Sequence, residues 1–261
     1  MELDAFIQDV ATGAGRILME WYHSEKVWRA KSDRGDIVTE VDEISEKYIL
    51  GRIQKVYPDD HILSEEAGSI GEVDEDRRTW IIDPLDGTRN YITGIPFFCV
   101  SIGVTTCGRA EAGAVYDPMH DEMFYARRGQ GARLNGEPIS VSPEKELEDS
   151  IVSVSWVKRK ADRNRFVRYI EELSKDTSYF RRFGSAALVL CYVACGRLNA
   201  YMQAGLNPWD VAAGAVIIEE AGGSITDFAG RPLDLRDKHI EVVTANPDLH
   251  SLIMDKVIGR R

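Results

Sequence analysis

Residues 80–91 read Trp80-Ile81-Ile82-Asp83-Pro84-Leu85-Asp86-Gly87-Thr88-Arg89-Asn90-Tyr91. A short apolar strand stops at Asp83, and a second carboxylate, Asp86, follows three residues later. The Asp-Pro-Leu-Asp-Gly-Thr turn bends the chain sharply, so both carboxylates can face one point and hold a cation with hard oxygen donors. Gly87 and Thr88 then offer unobstructed backbone N–H groups and a hydroxyl. Cation ligands beside anion donors are what phosphoryl-transfer chemistry requires. A divalent ion neutralises the developing charge, and oriented N–H groups hold the non-bridging oxygens.

Before this stretch, Leu3, Phe6, Ile7, Val10, Ala14, Ile17, Leu18 and Trp21 recur at helical spacing and predict an amphipathic helix over the first two dozen residues. A second helix is expected from Thr39 to just before Pro58, with residues 31–36 as an exposed polar loop between the two. After the stretch, residues 97–104, 111–116 and 122–126 read as strands separated by turns at Cys107-Gly108 and Pro118-Met119. Short connections predict antiparallel neighbours, so the first half is expected to be helices against an antiparallel sheet.

From residue 151 onward strand and helix alternate. Strands are predicted over 151–155, 179–182 and 198–203 and around Ile225 and Val242-Val243; helices are predicted over 162–175, 184–195, 208–221 and 247–257. Pro208 at the first turn and Gly222-Gly223 past the end mark the third of these helices. Without an internal repeat or low-complexity linker, the change near residues 143–149 divides the chain into an α+β subdomain, 1–145, and an α/β subdomain, 146–261.

The 261 residues are 44% hydrophobic, yet no apolar run approaches the roughly 20 residues that cross a bilayer. The start, Met1-Glu2-Leu3-Asp4, is acidic and unlike a secretory signal, so a cytoplasmic protein is expected. A net charge of −11 disfavours nucleic acid and anionic membranes as partners. The basic clusters Arg127-Arg128, Lys158-Arg159-Lys160 and Arg181-Arg182 read as solvated faces or anion contacts. Cys99, Cys107, Cys191 and Cys195 have neither metal-ligand spacing nor a disulfide framework and read as reduced thiols.

Three further stretches accompany residues 83–88: Glu65-Glu66 after Ile62-Leu63-Ser64, Trp209-Asp210-Val211-Ala212-Ala213-Gly214, and Glu219-Glu220-Ala221-Gly222-Gly223. In kind and order they resemble the signatures of the inositol monophosphatase family, within the superfamily of lithium-sensitive, magnesium-dependent phosphatases. The resemblance covers most of the chain. It implies a layered α-β-α-β-α sandwich of the sugar-phosphatase type, a homodimer, and hydrolysis of inositol monophosphate or a related polyol or sugar phosphate. Fructose-1,6-bisphosphatase and histidinol phosphatase are the alternatives on the same scaffold. A regulatory binding protein retaining the fold is the alternative of another class.

By the same resemblance, Glu65, Asp83 and the carbonyl of Leu85 bind one magnesium, and Asp83, Asp86 and Asp210 bind a second. A third, weaker cation would use Glu65 and water, with Lys31 nearby and Glu66 in support. Thr88 and Asp42 would orient the nucleophilic water, completing with Glu65 the catalytic set. Asp42 also reads as a helix cap, and Asp210 as a first-turn acid stabilised by the helix dipole. The phosphate would contact the N–H groups of Gly87 and Thr88. The substrate would face Asp86 and Asp210, the helix start at Gly184-Ser185-Ala186, and the segment from Gln203 to Pro208. Three positions depart from the family pattern: Gln203 replaces a frequent glutamate, Asn207 a frequent histidine or lysine, and Arg89 a frequent threonine.

Overall fold

In the computed structural model, which describes residues 2–24, 27–30, 37–74, 77–155 and 160–258, the apolar spacing at the start of the chain becomes helix α1 (Leu3–Trp21). A short antiparallel hairpin, β1 (Trp28–Ala30) and β2 (Ile37–Thr39), leads into α2 (Glu40–Val56). Thr39 starts α2 through a capping box. Its Oγ1 accepts from the N–H groups of Val41 and Asp42 at 3.1 and 3.3 Å, and Asp42 Oδ2 accepts from the Thr39 N–H at 2.9 Å.

Next come β3 (His61–Ser64), β4 (Gly68–Ile70), β5 (Thr79–Asp86) and the short helix α3 (Thr88–Thr93). The meander follows as β6 (Cys99–Thr106), β7 (Arg109–Asp117), β8 (Glu122–Arg127), β9 (Ala132–Leu134) and β10 (Glu137–Pro138). The second half contains β11 (Val152–Val154), α4 (Lys160–Leu173), β12 (Phe180–Arg181), α5 (Ala186–Ala194), β13 (Ala200–Leu206), α6 (Pro208–Glu220), β14 (Ser224–Thr226), β15 (Ile240–Ala245) and α7 (Pro247–Ile253). Residues 254–258 wind as a π-helix, where the pattern predicts α-helix through 257.

Among the described residues the larger sheet has eight strands in the order β10-β9-β8-β7-β6-β5-β3-β4, and the second has five, β12-β11-β13-β15-β14. Side-chain alternation assigns the layers. On β5, Trp80 and Ile82 pack with Phe6, Val10 and Leu18 of α1 and Ile49 and Ile53 of α2, on one face of the large sheet. Ile81, Cys99 and Val115 point the other way, into a core filled by α5 and α6 that also takes Tyr201, Leu206 and Val242 from the small sheet. Phe166 and Leu173 of α4 and Leu249 and Ile253 of α7 cover the far side of the small sheet. The result is the expected α-β-α-β-α order.

Two features of the large sheet differ from the sequence reading. First, it is not wholly antiparallel, because β3 and β5 run parallel with Ser64 opposite Ile82. The β4 hairpin leaves β3 on its far side, so the chain can return and add β5 beside β3 in the same direction. Second, β5 continues to Asp86 instead of stopping at Asp83. Asp83 pairs with Ser101 and Asp86 with Cys99, so three residues of β5 advance against two of β6. Pro84, which has no N–H to give the ladder, sits in this bulge.

Helix α6 lies almost bare against the sheet. A Cβ at Gly103 would fall 2.7 Å from Ala212 Cβ, and one at Gly113 would fall 2.6 Å from Ala213 Cα. Glycine on β6 and β7, facing alanine on α6, lets the helix backbone approach and fixes the position of its first turn.

Candidate metal and phosphate site

The bulge decides where the two signature acids point. In a regular strand, residues three apart face opposite sides of the sheet. The extra residue in β5 puts Asp86 back on the face of Asp83 and sends Leu85 to the α1/α2 side, where it is 1% exposed. Gly87 follows with φ of 94°, and a Cβ there would lie 2.9 Å from the Phe97 carbonyl oxygen, so this turn requires glycine.

Asp210 arrives from the opposite side, in the first turn of α6. Its Oδ2 accepts the Asn207 N–H at 2.6 Å, which caps the helix. Ligand-type oxygens of Asp83, Asp86 and Asp210 all lie within 4.8 Å of one another. Glu65 joins them through the parallel pairing: it follows Ser64, opposite Ile82, so it emerges beside Asp83 and hydrogen-bonds with it. Its own N–H donates to the Ile82 carbonyl at 3.1 Å.

Burial makes this group electrostatically tense. Asp83 is 1% exposed, and burial first, then the charges of Glu65, Asp86 and Asp210, hold its carboxyl well above the usual range. Asp86 is raised to about 6 by burial, against the lowering effect of hydrogen bonds from Ser185 and the backbone of Ala187 and Ala186. Mutually repelling carboxylates with all-oxygen donors in a buried cluster are the set that a hard divalent cation such as magnesium fits. Each residue expected to hold a cation is in this neighbourhood; Lys31, expected near the weak third site, lies outside the described residues.

Asp42 caps α2 and pairs with Thr88 at the same time. Oδ2 closes the capping box of α2, while Oδ1 accepts from Thr88 Oγ1 at 3.1 Å. The Thr88 hydroxyl also lies 3.0 Å from the Leu85 carbonyl oxygen, and the Leu85 N–H donates to Asp83 Oδ1 at 3.0 Å. Burial raises Asp42 to about 6, with bonds from Thr39 opposing the shift.

The expected substrate wall divides. Ser185, expected to face the leaving alcohol, is 1% exposed and donates its hydroxyl to Asp86 Oδ2 at 2.6 Å. The Ala187 N–H reaches the same oxygen at 2.7 Å. Ser185 is therefore committed to Asp86, because it is the N-cap of α5 and faces inward. Gly184 packs against the Asn90 amide, and Ala186 is 8% exposed. Gln203 is half-buried on β13 and its amide oxygen accepts from Tyr201 Oη.

Several site residues escaped the sequence reading. Glu46 Oε1 accepts from Ser64 Oγ and from the N–H groups of Glu66 and Ala67, so it grips the turn around Glu65. Ser45 donates to the Pro84 carbonyl at 3.0 Å. Asn90 Nδ2 donates to the carbonyls of Phe97 and Phe183, both at 2.7 Å, joining α3 to the segment before α5. A signal existed for the first two: polar Asp42, Ser45 and Glu46 fall on the same helical face as Ile49 and Ile53.

Known proteins resemble this chain over most of its length. The chain is 41% identical over 229 residues to the Nus factor SuhB of Vibrio cholerae serotype O1, covering 87% of this chain and 85% of that protein. The crystal structure of the extragenic suppressor protein suhB from Bartonella henselae superposes with a TM-score of 0.91 at 33% identity, covering 98% of each chain. The Staphylococcus aureus inositol monophosphatase II solved with bound inositol monophosphate gives 0.84 at 30% identity, over 99% of this chain and 94% of that one. A family-wide sequence model matches residues 1–258. With the signature acids gathered at one point and the match running nearly end to end, the chain belongs to the inositol monophosphatase family.

Proposed function

We propose that the protein is a magnesium-dependent phosphomonoesterase that hydrolyses inositol monophosphate, or a related polyol or sugar phosphate, by attack of water. The observation that carries this reading is the meeting of Asp83, Asp86 and Asp210 within 4.8 Å, with Glu65 hydrogen-bonded to Asp83 and the Thr88–Asp42 pair following directly from the same loop. Two magnesium ions would be held by Glu65, Asp83, the Leu85 carbonyl, Asp86 and Asp210, with Asp83 shared and a third, weaker ion at Glu65. Bound there, magnesium would neutralise charge on the phosphoryl oxygens and lower the pKa of water.

The chain's own residues supply the rest. When the Thr88 hydroxyl donates to Asp42, its lone pair is free to accept from a water, which orients that water and gives its proton a path to a buried carboxylate. The N–H groups of Gly87 and Thr88 would hold non-bridging phosphate oxygens. Ser185 and the Ala187 N–H anchor one oxygen of Asp86 and leave the other for the site. The solved relative with bound inositol monophosphate supports a polyol phosphate as substrate. The same reading makes the enzyme cytoplasmic, homodimeric and sensitive to lithium.

A second reading follows from the name of the Vibrio relative, a Nus factor: a regulatory binding protein that keeps the fold. Phosphate release with and without magnesium separates the two, using inositol 1-phosphate, fructose 1,6-bisphosphate and histidinol phosphate under one set of conditions. Magnesium-dependent turnover with inositol 1-phosphate as the best substrate is the expected result. No turnover on any member of the panel would leave the regulatory reading standing.

A further inference from the structure

Helix α2 buries a polar patch where its apolar stripe should continue. Asp42, Ser45 and Glu46 are 1%, 0% and 7% exposed, and they share one turn above Ile49 and Ile53. Each reaches a different stretch of the site: Asp42 to Thr88, Ser45 to the Pro84 carbonyl, and Glu46 to the turn after β3. The last contact is the densest. Glu46 Oε1 accepts from Ser64 Oγ at 2.5 Å, Ala67 N–H at 2.9 Å and Glu66 N–H at 3.2 Å.

Glu65 sits in the middle of that grip. The residue before it and the two after it bond to one carboxylate oxygen, and its own N–H is tied to the Ile82 carbonyl of β5 at 3.1 Å. Its backbone is thus held from both sides, which leaves its side chain directed at Asp83. We propose that Glu46 is a positioning residue for Glu65: it touches neither substrate nor metal, and it sets the strength with which the Glu65 side of the site holds a divalent cation. The inference rests on the reading of Glu65 as a cation ligand given above.

The reach of the side chain is the essential property. An amide oxygen at the same place can still accept from all three donors, whereas an aspartate is one methylene too short and an alanine leaves the donors without an acceptor. Magnesium binding measured by calorimetry on the whole protein, with the magnesium-induced rise in Tm and the magnesium concentration for half-maximal phosphate release alongside, tests this in E46Q, E46D, E46A and E65Q.

The expected order of magnesium affinity is wild type, then E46Q close behind, then E46D and E46A weakened about 10- to 100-fold, as for other groups that orient metal ligands. At saturating magnesium, kcat of E46A should recover to within a few fold of wild type. If E46A does not fold, E46Q against E46D decides, because a purely electrostatic role for Glu46 reverses their order and overturns the proposal. A lower Tm in EDTA with unchanged magnesium affinity in E46A or E46D would also overturn it, leaving Glu46 a stabilising residue only. Unchanged magnesium binding in E65Q would instead refute the assignment of Glu65 itself.

Discussion

Replacing Asp42 with asparagine separates what this carboxylate does for the fold from what it does for the chemistry. Burial raises its pKa from the usual 3.8 to about 6. In the folded protein it therefore keeps a proton up to about pH 6, while the unfolded chain gives it up near 3.8. Between those values the folded state binds more protons, so stability falls as pH rises through the window, and the full loss is present above about pH 6. A shift of about two units corresponds to about 3 kcal/mol. Asparagine does not titrate and escapes this loss. Its amide oxygen can still accept the Thr39 N–H, and its NH2 can donate to Thr88 Oγ1, which keeps its own donation to the Leu85 carbonyl. The hydroxyl is thereby reversed and no longer passes a proton toward position 42.

Denaturation with EDTA at about pH 4 and about pH 7.5 should show D42N gaining about 2–2.5 kcal/mol relative to wild type between the two conditions, since part of the loss is already present at about pH 4. Phosphate release at saturating magnesium should fall about 10²- to 10⁴-fold. Parallel loss of stability in both proteins between those pH values would refute the buried-carboxylate argument. Undiminished turnover would refute the Thr88–Asp42 relay.

Asp83→Asn relieves the repulsion among Asp83, Glu65, Asp86 and Asp210, so it should raise Tm in EDTA and abolish the further rise that magnesium gives wild type, read by thermal denaturation. Gly113→Ala drives a methyl group against Ala213 and should destabilise by about 1–3 kcal/mol, with weaker magnesium binding because Asp210 moves with α6. Gly51→Ala, in α2 with open space around it, should instead stabilise by about 0.5–1 kcal/mol by chemical denaturation. Ser185→Ala removes one donor from Asp86 and should raise its pKa further, moving the acid limb of the pH–rate profile upward.

The sequence made most of the helices and strands legible because their signals are local. Period-3.6 spacing marks α1, Pro208 and Gly222-Gly223 bracket α6, and short turns join β6 to β9. The acids of the signature were legible for a similar reason, since they lie close together in the chain. What the chain order hides is pairing between distant segments. Nothing local says that β3 and β5 run parallel, and that pairing is what carries Glu65 to Asp83. The apolar run alone predicts a strand ending at Asp83, yet β5 resumes pairing beyond the bulge at Pro84. A serine at a helix start, as at Ser185, suits a ligand or a neighbouring acid equally, and only the packing of α5 against β5 and β6 turns it to Asp86. Glu46 is not singled out by any motif, and its burial beside Ser64 follows from the packing of α2 on β5.

The count of residues between Asp83 and Asp86 has a consequence for how this loop can change over time. Any side chain there that tolerates the backbone leaves both acids on the same face. Regular pairing of all three steps, without the bulge, would turn Asp86 toward α1, into the packing around Trp80 and Tyr91, whereas deleting one intervening residue would leave the acids two apart and still on one face. A substitution at Pro84 that lets the ladder close without the bulge should thus cost the site more than one that leaves the bulge in place. The frame of the strand, more than the chemistry of its intervening positions, is what the site cannot lose.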